Sequence, residues 1–227
     1  MRQIITHFTD DDLYKFTMCC AVIDNYPRAQ VRYIFKDRGD TVYPQGFERE
    51  LRWQIDSLAS LRITDEEIGF MKRACPYIPY WFYNYLKGFR YEPELVKISV
   101  NEEGRLRLGF EGSWASTILL EVKTLAIISE LYYEMTGAAA SFDFGKFADK
   151  TIEKGVKLIE AGCVFSDFGT RRRASFRAQD CAIGALGKAG GECAGPGAFM
   201  GTSNVYLAMK YDLVPIGTMA HELICAI

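Results

Sequence analysis

Between Val164 and Glu222 one arrangement recurs three times: a short apolar run, a turn of small, polar or charged residues, and then a helical pattern. The turns read D-F-G-T-R-R-R at 167–173, G-T-S-N at 201–204 and G-T-M-A-H-E at 217–222. Strand–turn–helix units in succession build a parallel sheet, because the helix carries the chain back to the start of the next strand. Their turns gather at the carboxyl ends of the strands, where such folds place their chemistry. The recurrence therefore restricts the chain to an α/β architecture and predicts one functional rim, with the rest of the chain as its support.

The 227 residues are enough for one large domain or two small ones, and 49% hydrophobic with 25% charged residues is ordinary for a globular chain. A formal charge of −2 argues against general binding to nucleic acid or to a membrane surface. No apolar run reaches the ~18 residues of a membrane span, and the start turns acidic at once, unlike a secretory signal. Seven cysteines without a C-x-x-C pair point to free, buried thiols in a reducing compartment. Two histidines make a His-rich metal site improbable.

Along the chain, residues 10–24 read as a helix. Asp10 or Asp11 can cap it, and the run Asp10, Asp11, Asp12 reads as a solvated acidic start, with metal binding as the competing use of those carboxylates. Val31, Tyr33 and Phe35 alternate on one face of a strand over 30–36. Phe47, Leu51, Ile55 and Leu58 repeat at helical spacing, and Thr64 with Glu67 spells a capping box. The aromatic cluster from Tyr77 to Tyr85 suits a core or a subunit interface. Residues 95–100 and 106–110 form a hairpin across N-E-E-G. Residues 116–136 form a long helix with little polar face, and 142–161 an amphipathic one ended by Gly162.

Gly137 and the alanines after it divide the chain into an α+β N-terminal domain, 1–137, and a second region, 138–227. The second region reads as the first strands of an incomplete TIM-like α/β barrel: strands at 163–168, 198–200 and 213–216, helices at 174–187 and 203–210, and a further helix from His221. Three strands are fewer than the eight of a closed barrel, so the chain reads as part of a longer protein.

The three turns share an affinity for anions. Arg171, Arg172 and Arg173 follow Gly169 at a helix opening, where guanidinium groups and free N–H groups suit phosphate or carboxylate. Gly201, Thr202 and Ser203 offer N–H and hydroxyl donors. His221 sits at a helix start and is a competent nucleophile when neutral, able to bind or to accept a phosphoryl group. A substrate carrying both a phosphate and a carboxylate matches such a rim.

These residues, with T-D-D-D-L-Y-K-F-T-M at 9–18, D-R-G-D at 37–40, E-G-S-W at 111–114 and L-A-I-I-S-E-L at 125–131, carry a resemblance. The chain is similar to the amino-terminal part of a bacterial-type nicotinate phosphoribosyltransferase. The resemblance implies an enzyme of NAD salvage that joins nicotinate to phosphoribosyl pyrophosphate, giving nicotinate mononucleotide and pyrophosphate. It implies coupling to ATP hydrolysis through a phosphohistidine, formally a ligase, and His221 matches that position. Tyr14 matches a tyrosine that stacks on the nicotinate ring, commonly from the neighbouring subunit, and Thr218 matches a nicotinate contact. Arg171 and Arg172 match basic residues of the substrate pocket, and Ser203 a further substrate contact. Mg²⁺ with the pyrophosphate, ATP as co-substrate, a homodimer and a cytoplasmic location are also implied. In V-K-T-L-A at 122–126, lysine and threonine stand where many relatives carry proline and leucine.

Two other readings compete with it. One is a related phosphoribosyltransferase for nicotinamide or quinolinate, which the Y-K-F-T-M and G-T-M-A-H-E segments disfavour. The other is a non-catalytic, oligomerising fragment, whose open sheet edge would favour self-association.

Overall fold

The structure, a computed structural model, describes residues 2–138 and 140–226. Helix α1 (Leu13–Asn25) is followed by strand β1 (Gln30–Ile34), and then by helices α2 (Phe47–Ser57), α3 (Asp65–Ala74) and α4 (Tyr80–Gly88). Strands β2 (Val96–Val100) and β3 (Leu106–Ser113) form the hairpin. A one-turn helix α5 (Trp114–Thr117) and helix α6 (Leu120–Met135) replace the single helix expected over 116–136.

β3 is the centre of a three-stranded antiparallel sheet of order β1-β3-β2. Its register sets Tyr33 opposite Phe110, and their rings stack with centroids 4.8 Å apart, a cross-strand pair of the kind that stabilises a sheet face. The inner faces of β1 and β3 and the buried sides of α1, α2, α3, α4 and α6 close over one apolar core that includes Phe8, Phe16, Phe47, Leu51, Phe82 and Ile127. The capping box is present: Thr64 Oγ1 accepts from Glu67 N, and Glu67 accepts from Thr64 N.

Helix α7 (Phe144–Glu160) begins the second region and packs on α8 (Phe176–Glu192). Gly155 permits the close approach, since a Cβ there would lie 3.0 Å from that of Ala189. Strand β4 (Val164–Asp167) and strand β5 (Ala198–Thr202) pair in parallel, and α9 (Val205–Lys210) and α10 (His221–Ala226) follow. Side-chain caps sit where a helix-start residue was available: Asp143 on α7, Ser175 on α8 and Asn204 on α9.

The third strand, expected over 213–216, is reduced to a single parallel bridge between Thr202 and Pro215, with Ile216 N donating to Thr202 O at 2.8 Å. Val205 and Ala208 of α9 belong to the same apolar core as the N-terminal helices, so the rim and the N-terminal part share their packing.

Candidate active site

The rim is built around the segment 9–13. Thr9, Asp10, Asp11 and Asp12 are all buried, each about 1% exposed or less, which corrects the expectation of a solvated acidic start. Asp12 is the N-terminal boundary residue of α1 but makes no side-chain cap. The segment instead lies along the 203–206 turn: Leu13 N donates to Ser203 O at 2.8 Å, Val205 N to Asp11 O at 3.0 Å and Tyr206 N to Thr9 O at 2.9 Å.

Each carboxylate has its own partner, because a buried charge is tolerated only when paired and hydrogen-bonded. Arg173 donates to Asp10 through both terminal nitrogens, at 2.6 and 2.7 Å, and Asn204 Nδ2 donates to the same carboxylate at 2.8 Å. Lys123 Nζ lies 2.7 Å from Asp11 Oδ2, with both side chains fully buried. Ser203 Oγ donates to Asp12 Oδ1 at 2.7 Å. Burial pushes the Asp10 carboxyl up, but the Arg173 guanidinium more than offsets it and holds Asp10 below the usual range. For Asp11 burial prevails over the Lys123 ammonium and pushes the carboxyl up to about 6. Burial also pushes Asp12 up, against the Ser203 and Thr170 hydrogen bonds.

The first two turns are tied to each other through Asp167, which accepts from Thr202 Oγ1 and from Gln179 Nε2, each at 2.9 Å. Gly201 makes the second turn possible: its φ is +132°, and a Cβ there would lie 2.2 Å from Val214 O. Only glycine tolerates that conformation and that approach.

The arginine triplet occupies the single 3₁₀ turn Thr170–Arg172 and the residue after it. Three residues per turn send successive side chains about 120° apart, so the three cations part company. Arg173 is buried on Asp10, Arg171 is half-buried with Nη1 3.7 Å from Glu121 Oε1, and Arg172 is exposed. Arg171 and Arg172 border a cavity of about 710 Å³ between β1 and α6, whose wall also includes Lys36, Arg38, Glu121 and Thr124. Thr124 Oγ1 is buried there without a hydrogen-bond partner.

Tyr14 does not border that cavity. The residue is 2% exposed and its ring lies near two cations, with Lys15 Nζ 5.6 Å and Arg171 Cζ 5.9 Å from its centroid. Its hydroxyl is buried and unpartnered, and burial together with nearby Asp12 pushes the phenol well up. Within one chain Tyr14 therefore already faces Arg171. Ser203, expected as a substrate contact, is fully buried and bonded to Asp12. Thr218 and His221 are exposed, the first in the turn and the second opening α10.

What holds α10 is the residue after His221. Glu222 Oε1 accepts from Trp114 Nε1 at 2.8 Å and from the Tyr33 hydroxyl, and Oε2 accepts from Lys15 Nζ at 2.5 Å. Burial pushes the Glu222 carboxyl up, but Lys15 with the Tyr33 and Trp114 donors more than offsets it and holds the group below its usual range. Lys15 is fully buried and also pairs with Glu121. Lys15, Tyr33, Trp114 and Glu222 all stand in segments the sequence marked, but their meeting left no local signal, since Glu222 lies 108 to 207 residues from its three partners. Among the described residues no group of three or more His, Cys, Asp or Glu is placed to hold a metal ion.

Two parallel strands ending in polar turns, locked to an N-terminal segment, define a mixed α/β class of molecule. The chain belongs to the nicotinate phosphoribosyltransferase family. The family's N-terminal domain model matches residues 9–129, and the model of the nicotinate phosphoribosyltransferase family itself matches 163–227. The nicotinate phosphoribosyltransferase of Chromohalobacter salexigens is 41% identical over 213 residues, covering 94% of this chain and 53% of the relative. That of Methanosarcina mazei is 38% identical, covering 96% of this chain and 56% of its own length. The crystal structure of nicotinate phosphoribosyltransferase from Porphyromonas gingivalis superposes with a TM-score of 0.91 at 37% identity, covering 97% of this chain and 55% of that one. The chain thus spans about half the length of the relatives it matches.

Proposed function

We propose that this chain forms the amino-terminal half of an enzyme that makes nicotinate mononucleotide and pyrophosphate from nicotinate and phosphoribosyl pyrophosphate, coupled to ATP hydrolysis. The observation that supports it most is the assembly of the family's three turn motifs around the 9–15 segment. In the reaction the nicotinate ring nitrogen forms a bond to the anomeric carbon as the bond from that carbon to the pyrophosphate oxygen breaks. Tyr14 orients the ring, an entropic contribution, and Thr218 contacts it. Arg171 and Arg172 stabilise negative charge on the carboxylate and departing phosphates, and Ser203 shapes the site through Asp12. His221 accepts the γ-phosphoryl group of ATP on a ring nitrogen, releasing ADP, and the N–P bond is later hydrolysed. Magnesium would come with the phosphates; the described residues supply no ligand set of their own for it. A homodimer in the cytoplasm completes this reading.

The test is formation of nicotinate mononucleotide by a chain of the relatives' full length that carries residues 1–227 unchanged. It is followed with and without Mg-ATP, with nicotinamide and quinolinate as controls. ATP-stimulated turnover of nicotinate alone is expected, and His221→Ala should abolish the stimulation. Unchanged ATP dependence in that variant would remove the phosphohistidine role, and turnover of another base would remove the substrate assignment. A second reading, an oligomerising chain without activity, is favoured by Val164, Met200 and Val214, which stand exposed on and beside the parallel strands. It predicts self-association and no turnover at any length.

A further inference from the structure

We propose that Glu222 and Lys15 are a positioning pair that transmits the state of His221 to Tyr14 and Arg171. This rests on the phosphohistidine reading above and deepens it. His221 is exposed and makes none of the hydrogen bonds that hold α10. Its neighbour makes three, to Lys15 of α1, Tyr33 of β1 and Trp114 beside the sheet. One carboxylate therefore fastens the histidine's helix to three separate elements.

From that carboxylate a line of alternating charge runs through buried Lys15 to the edge of the cavity. Glu222 holds Lys15, Lys15 also holds Glu121, and Glu121 lies 3.7 Å from Arg171. The Tyr14 ring is near both cations of that line, 5.6 Å from Lys15 Nζ and 5.9 Å from Arg171 Cζ. Lys15 is fully buried, so water cannot replace a lost partner and its charge must be shared between the two carboxylates.

A phosphoryl group on His221 adds up to about two negative charges beside Glu222. Like-charge repulsion weakens the Glu222–Lys15 contact. Lys15 is then left to Glu121, whose hold on Arg171 slackens, and Arg171 becomes free to meet an incoming carboxylate or phosphate. Phosphorylation would in this way raise substrate affinity without the histidine touching substrate, which is coupling by differential contacts in two states.

The experiment uses the chain of the relatives' full length and reads two quantities. One is incorporation of labelled phosphate from ATP. The other is the ratio of the nicotinate KM without Mg-ATP to that with it. In Glu222→Gln and in Lys15→Met the ratio should fall at least threefold toward one while phosphate is still incorporated. The double variant should show no further loss, since both substitutions break one line. Lys210→Met, in an exposed pair with Asp180, should keep the unsubstituted ratio. Glu222→Asp and Trp114→Phe, milder changes, should fall between if the primary variants fold poorly. Unsubstituted ratios in Glu222→Gln and Lys15→Met, or in the milder pair should those not fold, together with normal phosphate incorporation, would overturn the proposal. Absence of incorporation in the unsubstituted chain would instead overturn the phosphohistidine reading, and this relay with it.

Discussion

Asp10 and Asp11 are neighbours in sequence, yet their environments drive them in opposite directions. Asp11 is held above its ordinary value, at about 6. The folded state then binds its proton more tightly than the unfolded chain, so this group contributes stability as pH falls from about 6 toward about 4 and loses it as pH rises. Asp10 is held below its ordinary value by Arg173, so its contribution is present above about 4 and is lost as pH falls through its folded-state pKa. Unfolding free energies from urea titration of the unsubstituted chain and of Asp11→Asn should diverge by about 1 kcal/mol in favour of the former as pH falls from about 7 to about 5. A constant difference would mean that Asp11 titrates normally. Lys123→Leu leaves Asp11 buried without its cation and should cost about 3–5 kcal/mol, most of it regained in the Asp11→Asn double variant. The aspartate run was legible as a boundary of α1, but not as buried. Its partners Arg173, Lys123 and Ser203 lie more than 100 residues away, and no local pattern encodes them.

At the scale of elements, most helices followed from periodicity and caps. Thr64 with Glu67 marked α3, and Phe47, Leu51 and Ile55 marked α2, all three buried as their spacing requires. Thr64→Ala removes one side of the capping box and should cost about 1 kcal/mol, read from the thermal or urea transition. Here the loss also reaches beyond α3, because Glu67 accepts from both Thr9 N and Thr9 Oγ1. The 213–216 strand was legible as an apolar run but not as a single bridge, because the extent of pairing depends on how the segment docks beside β5 and not on its own residues. Gly201→Ala should be more damaging than the cap substitution, at least about 2 kcal/mol, because the Cβ meets Val214 O and the φ is disfavoured for alanine. A transition within about 0.5 kcal/mol of the unsubstituted chain would mean that the 213–216 segment moves aside freely.

For the whole molecule, the contact that matters most joins the chain's beginning to its rim. Arg173 grips Asp10 across 163 positions of sequence, and Ser203 meets Asp12 across 191. Asp10→Asn should therefore loosen two distant stretches together: amide hydrogen exchange should rise both in 9–15 and in 198–206, with a loss of about 3–5 kcal/mol for a broken buried pair. Exchange rising in one stretch alone would show that the two are held independently. The sequence by itself determined the class: strand–turn–helix units, caps and apolar spacing are local, and local chemistry chooses helix, strand and turn. It also carried the motifs that mark the family, and it singled out Tyr14, Arg171, Arg172, Ser203, Thr218 and His221. Only the tertiary structure decided how these residues are disposed. It buried one arginine of the triplet and left its neighbours at the cavity, and it fastened the helix of His221 through Glu222. The reason is that burial and charge pairing are settled by side chains far apart in sequence, whose meeting depends on the packing of the whole core.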